Sequence, residues 1–135
     1  LEEENVVRVS NKSREDVYNL VEGFLAVCSS DTFDARAYLA DTVTKYYRLS
    51  NLTPEEIKHE PSKKDFQVPH SVLDKSSFRI RDSSGTIMYW EFWNDFTCFR
   101  PSHSRYQRSK VLMEFGINEE FKITSIVELK VNRIY

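Results

Sequence analysis

The sequence predicts an α+β domain, with helices gathered at the N-terminal end and packed on one face of a curved antiparallel sheet. Apolar residues recur at helical spacing early in the chain. From about residue 70 they alternate with a period of two, and short polar stretches join each alternating run to the next. Hairpin after hairpin is the pattern of a meandering antiparallel sheet.

Residues 1–12 are acidic and then mixed, and read as a lead-in to a single domain over 13–135. Ser13 and Asp16 have capping-box spacing, with Asp in place of the usual Glu. Beyond them Val17, Tyr18, Leu20, Val21, Phe24, Leu25, Val27 and Cys28 fall within about a half-circle at 100° per residue. This predicts an amphipathic helix over roughly 14–28, ended by Ser29-Ser30-Asp31, with a short second helix near Asp34–Leu39. "VTKYYRL", residues 43–49, is rich in β-branched and aromatic residues and predicts a first strand. Thr53-Pro54-Glu55-Glu56 is the strongest local signal. Thr53 suits the cap, Pro54 the first helical position, and Glu56 can reach back to the cap. Pro61 should kink or split the helix that follows, and Pro69 blocks its continuation.

Four long strands then follow: "SVLDKSSFRIR", a turn at 82–85, "TIMYWEFWNDFTCF", a polar loop at 100–104, "RYQRSKVLMEFGI", a turn at 118–120, and "FKITSIVELKVNRI". Residues 88–99 hold six of the eighteen aromatic residues and both tryptophans. Alternation sends Met88, Trp90, Phe92, Asn94, Phe96 and Cys98 to one side, and Ile87, Tyr89, Glu91, Trp93, Asp95, Thr97 and Phe99 to the other. The first set is almost wholly apolar and should face the helices. Val111, Met113, Phe115 and Ile117, with Ile123, Val127, Leu129 and Val131, extend that apolar face.

Composition narrows the function classes. A chain of 135 residues is the size of one domain and buries roughly 65–70% of its unfolded surface. Hydrophobic residues at 40% and aromatics at 13% support a packed core, and three glycines and four prolines argue against a loop-rich scaffold. A net charge of −2 with interspersed signs supplies neither a basic field for nucleic acid nor a polybasic membrane stripe. No apolar run approaches the roughly 18 residues of a membrane span. The chain begins at Leu1, as an excised domain or mature form would, leaving any signal or anchor out of view. Cys28 and Cys98 fit no metal spacing. Two buried thiols and a disulfide both remain open.

With these elements in order, one segment resembles a known family. Tyr38-Leu39-Ala40-Asp41, Val43, Tyr46-Tyr47, Thr53, Glu55-Glu56 and Val68-Pro69 follow the pattern of small bacterial members of the nuclear transport factor 2-like superfamily. Val68 stands where those members have tryptophan, and Pro61 falls where their third helix continues. The resemblance implies a cone, in which a strongly bent sheet wraps around the helices and often leaves a pocket at the wide end. It also implies frequent dimerisation through the convex sheet face. Its members include isomerases, dehydratases, epoxide hydrolases, transport factors and non-catalytic modules, so it assigns no activity.

The residues themselves point to binding more than to catalysis. Proton transfer needs a base within hydrogen-bonding reach of the substrate, and the inward set offers no carboxylate or histidine. The pocket candidates are Tyr47, Trp90, Asn94 and Met113. If the chain is an enzyme of the ketosteroid isomerase or dehydratase type, Asp41 and Tyr47 are its catalytic candidates. Glu91 and Asp95 share the outer face but lie about 13 Å apart along the strand, too far for a working pair. The histidines are scattered, there is no metal site, and no motif calls for a cofactor. Tyr89, Trp93 and Phe99 are the interface candidates, for a homodimer. The expected function is a non-catalytic domain that binds a small apolar ligand or a partner protein, as part of a larger bacterial protein, with a preference for the cell envelope over the cytoplasm.

Overall fold

In a computed structural model, the backbone is described for residues 2–30 and 32–135, and side chains for that set from Arg14 onward. Helix α1 spans Glu2–Val27. It begins well before Ser13, so it takes in most of the segment read as a lead-in, and the Ser13/Asp16 spacing does not mark its start. Residues 2–12 contain no glycine or proline to stop a helix. Val17, Val21 and Phe24 are buried, as the helical spacing requires.

Helix α2 is a single turn, Ala35–Tyr38. The strand expected over 43–49 is instead a hairpin, β1 (Val43–Tyr46) and β2 (Leu49–Leu52), because Tyr47 turns the chain with φ +55°. Helix α3 (Pro54–Lys58) has the full capping box. Thr53 Oγ1 accepts from the Glu56 N–H at 3.2 Å, and Glu56 Oε1 accepts from the Thr53 N–H at 3.0 Å. Pro61 opens a separate 3-10 turn to Asp65, so the expected split occurs there.

The strand expected over 71–81 is two strands, β3 (Gln67–Leu73) and β4 (Arg79–Ser84). Asp74 breaks it, accepting from the Ser76 N–H at 3.1 Å and the Ser76 hydroxyl at 2.7 Å. β5 (Ile87–Arg100), β6 (Arg105–Ile117) and β7 (Ile123–Arg133) complete one sheet of order β2-β1-β7-β6-β5-β3. β4 pairs with the first half of β5 and β3 with its second half, on the same edge. The sheet is mixed rather than wholly antiparallel, since β1 and β7 run parallel through Lys45↔Ser125 and Tyr46↔Ile126.

Aromatic rings fill the centre. Phe78 stacks on Phe92 at 4.5 Å, and Phe115 meets Phe92 at 5.3 Å and Phe24 of α1 at 6.1 Å, both edge-on. The β5 alternation is as expected: Trp90, Phe92, Asn94 and Cys98 are buried on the helix side, with Phe96 half-buried.

On β7 the expected inner set is corrected. Register shifts between Gly116 and Ile117, and between Leu112 and Met113, insert Thr124 and Leu129 as extra residues in β7. Each extra residue changes which parity faces the core. Ile123 and Val131 share the inner face with Ile117 and Val111. Between the bulges that face belongs to Ile126 opposite Phe115 and Glu128 opposite Met113, while Val127 pairs with the outward Glu114. The inner face therefore does carry a carboxylate.

Candidate functional site

Successive rows of paired residues cross the inner face. Leu49, Tyr46, Ile126, Phe115 and Trp90 form one row, then Glu128, Met113 and Phe92, then Val131, Val111, Asn94 and Leu73, then Arg133, Ser109, Phe96 and Ser71. Side chains directly opposite in a ladder project to the same side. Trp90, Phe92, Met113 and Phe115 are sealed beneath the helices. Toward β7 and β2 the cover ends. Val131 is 52% exposed and Leu49 42%, and Glu128 is exposed as well. The inner face thus opens to water along one flank, beside the sealed region.

Three polar groups lie on the inner rows, two of them buried. Asn94 is only 3% exposed. Its Nδ2 donates to Ser71 Oγ at 3.2 Å and approaches Met113 Sδ at 3.9 Å, but its Oδ1 has no partner. Ser109, one row further on, buries an Oγ that is also without a partner. Burial pushes the Glu128 carboxyl above its ordinary value, against the pull of Arg48. No ion pair or hydrogen bond reaches Glu128 among the described residues.

Tyr47 borders the same region. It keeps 38% of its surface exposed. Burial, ahead of Tyr46, Cys28 and Glu128, pushes its phenol well above the ordinary value. Its ring meets Tyr46 edge-on at 4.9 Å. Nearby, Lys63 Nζ donates to the carbonyl of Cys28 at 2.7 Å and lies over the Phe33 ring.

Of the residues singled out for a pocket, Trp90, Asn94 and Met113 all lie in the sealed region, and Tyr47 is partly exposed. Asp41 is elsewhere. Its side chain is 97% exposed and ion-paired with Arg36 at 3.2 Å. It precedes β1 while Tyr47 follows it, a separation on the order of 20 Å for extended chain. Glu91 and Asp95 take the outer-face positions of β5, but neither is a freely solvated carboxylate: Glu91 is buried and Asp95 half-buried. They do not pair with each other: Glu91 meets Arg79 at 3.3 Å and Asp95 meets Arg108 at 2.7 Å. Tyr89, Trp93 and Phe99 share that outer face, each half-buried, with Phe99 against Tyr106 at 5.1 Å.

Both cysteines are free thiols, Cys28 half-buried and Cys98 buried. The described residues form no cluster of three or more metal-ligating side chains. A depression of about 430 Å³ is lined by Val72, Leu73, Trp93, Asn94, Lys110 and Asn132, and another of about 400 Å³ by Asp41, Thr86 and Glu119.

Sequence reading missed Glu128 and Ser109. Ser109 was within reach, since it continues the alternation of Val111, Met113 and Phe115. Glu128 was not, because nothing in "FKITSIVELKVNRI" marks the bulges that turn it inward.

Neither a protein-family model nor a curated protein matches this sequence. Among solved structures the chain is similar to a candidate aromatic ring hydroxylase from Novosphingobium aromaticivorans. The TM-score is 0.68 at 10% identity, over 91% of this chain and 94% of that one. At that identity the likeness concerns the fold alone: helices packed on a large, curved mixed sheet, shared over nearly the full length of both chains.

Proposed function

We propose that this chain is a non-catalytic domain of the nuclear transport factor 2-like superfamily, and that it binds a small, largely apolar molecule where the inner sheet face opens. One observation carries the reading: the Oδ1 of Asn94, buried and without a donor. An unsatisfied buried acceptor costs about 1–3 kcal/mol, and native proteins hold few of them. A ligand that donates to Asn94 would remove that cost. Val131, Leu49 and the Tyr47 ring offer it an apolar rim. The sealed rows of Trp90, Phe92 and Met113 serve as a rigid floor and not as a cavity. On the outer face, Tyr89, Trp93 and Phe99 would hold a second copy of the chain.

A second reading is a proton-transfer enzyme of the isomerase or dehydratase type. Glu128 favours it, as a carboxylate on the inner face that burial pushes above its ordinary value. Against it, Glu128 faces water, whereas general bases of this kind work in enclosed sites.

Titration of ¹⁵N-labelled protein with ring-sized apolar fragments tests the proposal. The expected result is amide shifts centred on Val111, Asn94 and Val131, and binding weakened about tenfold or more in Asn94→Leu. Shifts confined to the outer face, or absent at millimolar fragment, overturn it. Turnover of an enolisable ketone that Glu128→Gln abolishes would decide for the enzyme.

A further inference from the structure

We propose that the free edge of β7, residues 127–133, is where a second copy of the chain adds its own β7. The two sheets then run on as one, and each copy walls the open flank of the other's inner face. This contact is separate from the outer-face pairing through Tyr89, Trp93 and Phe99, and it depends on no bound ligand.

β7 has a strand on both sides only at its start. β1 joins it through Lys45↔Ser125 and Tyr46↔Ile126, and the Tyr47 N–H bonds the Ile126 carbonyl at 2.8 Å before the chain turns away. From residue 127 on, the described residues pair β7 with β6 alone. That leaves about 23 Å of strand edge, along which every second N–H and C=O turns to water. Glu128, Lys130, Val131, Asn132 and Arg133 are all exposed there, Val131 by 52%. Its charges are unspent. Glu128 and Lys130 have no ion pair or hydrogen bond among the described residues, and Arg48 acts on Glu128 without closing one. Arg133 donates only to a neutral acceptor, Gln107 Oε1, at 2.8 Å.

The pattern on this edge complements itself. In an antiparallel contact about a two-fold axis normal to the sheet, inner side chains meet inner ones and outer meet outer. Glu128, Val131 and Arg133 belong to inner rows, Lys130 and Asn132 to outer ones. Setting Val131 opposite the partner's Val131 brings Lys130 opposite the partner's Asn132. Leu129 is the extra residue of the bulge, so Glu128 then falls opposite the partner's Arg133. This register closes a Glu128–Arg133 pair at each end and covers the exposed valines on the axis. The neighbouring registers do not. Lys130 on the axis sets two ammonium groups opposite each other, and Asn132 on the axis moves Glu128 two residues away from Arg133. A bulge and edge charges keep an open strand from taking up flat apolar partners. This edge therefore selects a strand of matching pattern, and β7 itself carries that pattern. The partner's Val131 and the partner's Arg133 then stand where β1 leaves the inner face open.

A ladder this short is weaker than a standard interface, so the test runs from about 10 µM to about 1 mM, in Trp93→Glu, where the outer-face contact is removed. Sedimentation and ¹⁵N amide spectra should show the mass doubling with concentration and shifts gathered on residues 127–133, both weakened by about 0.5 M salt. On that background Glu128→Arg or Arg133→Glu alone should weaken association about tenfold or more, since each sets like charges across the axis. An equimolar mixture of the two should restore it, because each variant supplies the charge the other lacks. Misfolding of either variant cannot imitate that rescue. A monomer up to about 1 mM, shifts confined to other residues, or a mixture that associates no better than its components overturns the proposal. The outer-face contact is judged on wild-type protein at micromolar concentration and stands or falls on its own.

Discussion

Phe92 is held by rings on two sides. It has no exposed surface, stacks on Phe78 and meets Phe115 edge-on. Truncating it leaves a cavity that neighbours held by their own ring contacts cannot fill. Phe92→Ala should therefore cost about 3–5 kcal/mol, read from urea denaturation; a loss below about 1 kcal/mol would contradict its place in the core.

Asp65 is governed by charge instead. Its carboxylate accepts from the Ser102 hydroxyl at 2.6 Å and the Ser102 N–H at 2.9 Å, then from Arg100, and is held down to about 2 from 3.8. A carboxyl depressed in the folded state stabilises above its unfolded value and loses that contribution as pH falls through its folded one. The stabilising effect of Asp65 should therefore disappear between about pH 4 and pH 2. Thermal melts of Asp65→Asn should show a shallower fall across that window, and an unchanged slope would contradict the pairing. Residue identity alone foretold the burial of Phe92 and Trp90, because an aromatic at every second position of a long strand has one apolar side. It could not foretell the bonds of Asp65, whose partners lie 35 and 37 residues away.

Among the elements, β7 holds the instructive difference. Strict alternation along it assigns Val127 to the core and Glu128 to water, and the two bulges reverse that over the segment between them. A bulge is a property of the pair of strands, so one strand's sequence does not reveal it. Gly116 is the counterpart on β6. A Cβ there would lie 2.4 Å from Ser125 Oγ and 2.8 Å from Thr124 Oγ1, and Ser125 Oγ accepts from the Gly116 N–H at 3.1 Å. Moving Ser125 aside loses that bond, so Gly116→Ala should destabilise by about 1–3 kcal/mol. Equal midpoints in urea would mean that the bulge relaxes freely. The capping box before α3 was fully legible, because both of its bonds join residues three apart in sequence. The break between β3 and β4 was not, because Asp74 competes with the strand through its own side chain.

At the scale of the whole molecule, helices first and strands last was enough to place the chain among α+β folds, and its likeness to a solved structure over 91% of its length agrees. The parallel pairing of β1 with β7 escaped, because a short strand separated from its partner by most of the chain leaves no local trace. Assembly also belongs to this scale. With Tyr89, Trp93 and Phe99 on one outer face, light scattering at micromolar concentration should give about twice the monomer mass, and Trp93→Glu should halve it; a wild-type monomer across that range would contradict the outer-face contact.

The central claim is that Asn94 is kept for a ligand and not for the fold, and folding free energy tests it most directly. Leucine is close to asparagine in shape and carries no unsatisfied acceptor. Asn94→Leu should leave the ligand-free protein as stable as wild type or more stable by about 1–2 kcal/mol in urea, while fragment binding at the inner face is lost. A loss of about 2 kcal/mol or more in the ligand-free protein would show that the amide serves the fold itself, and would contradict the account.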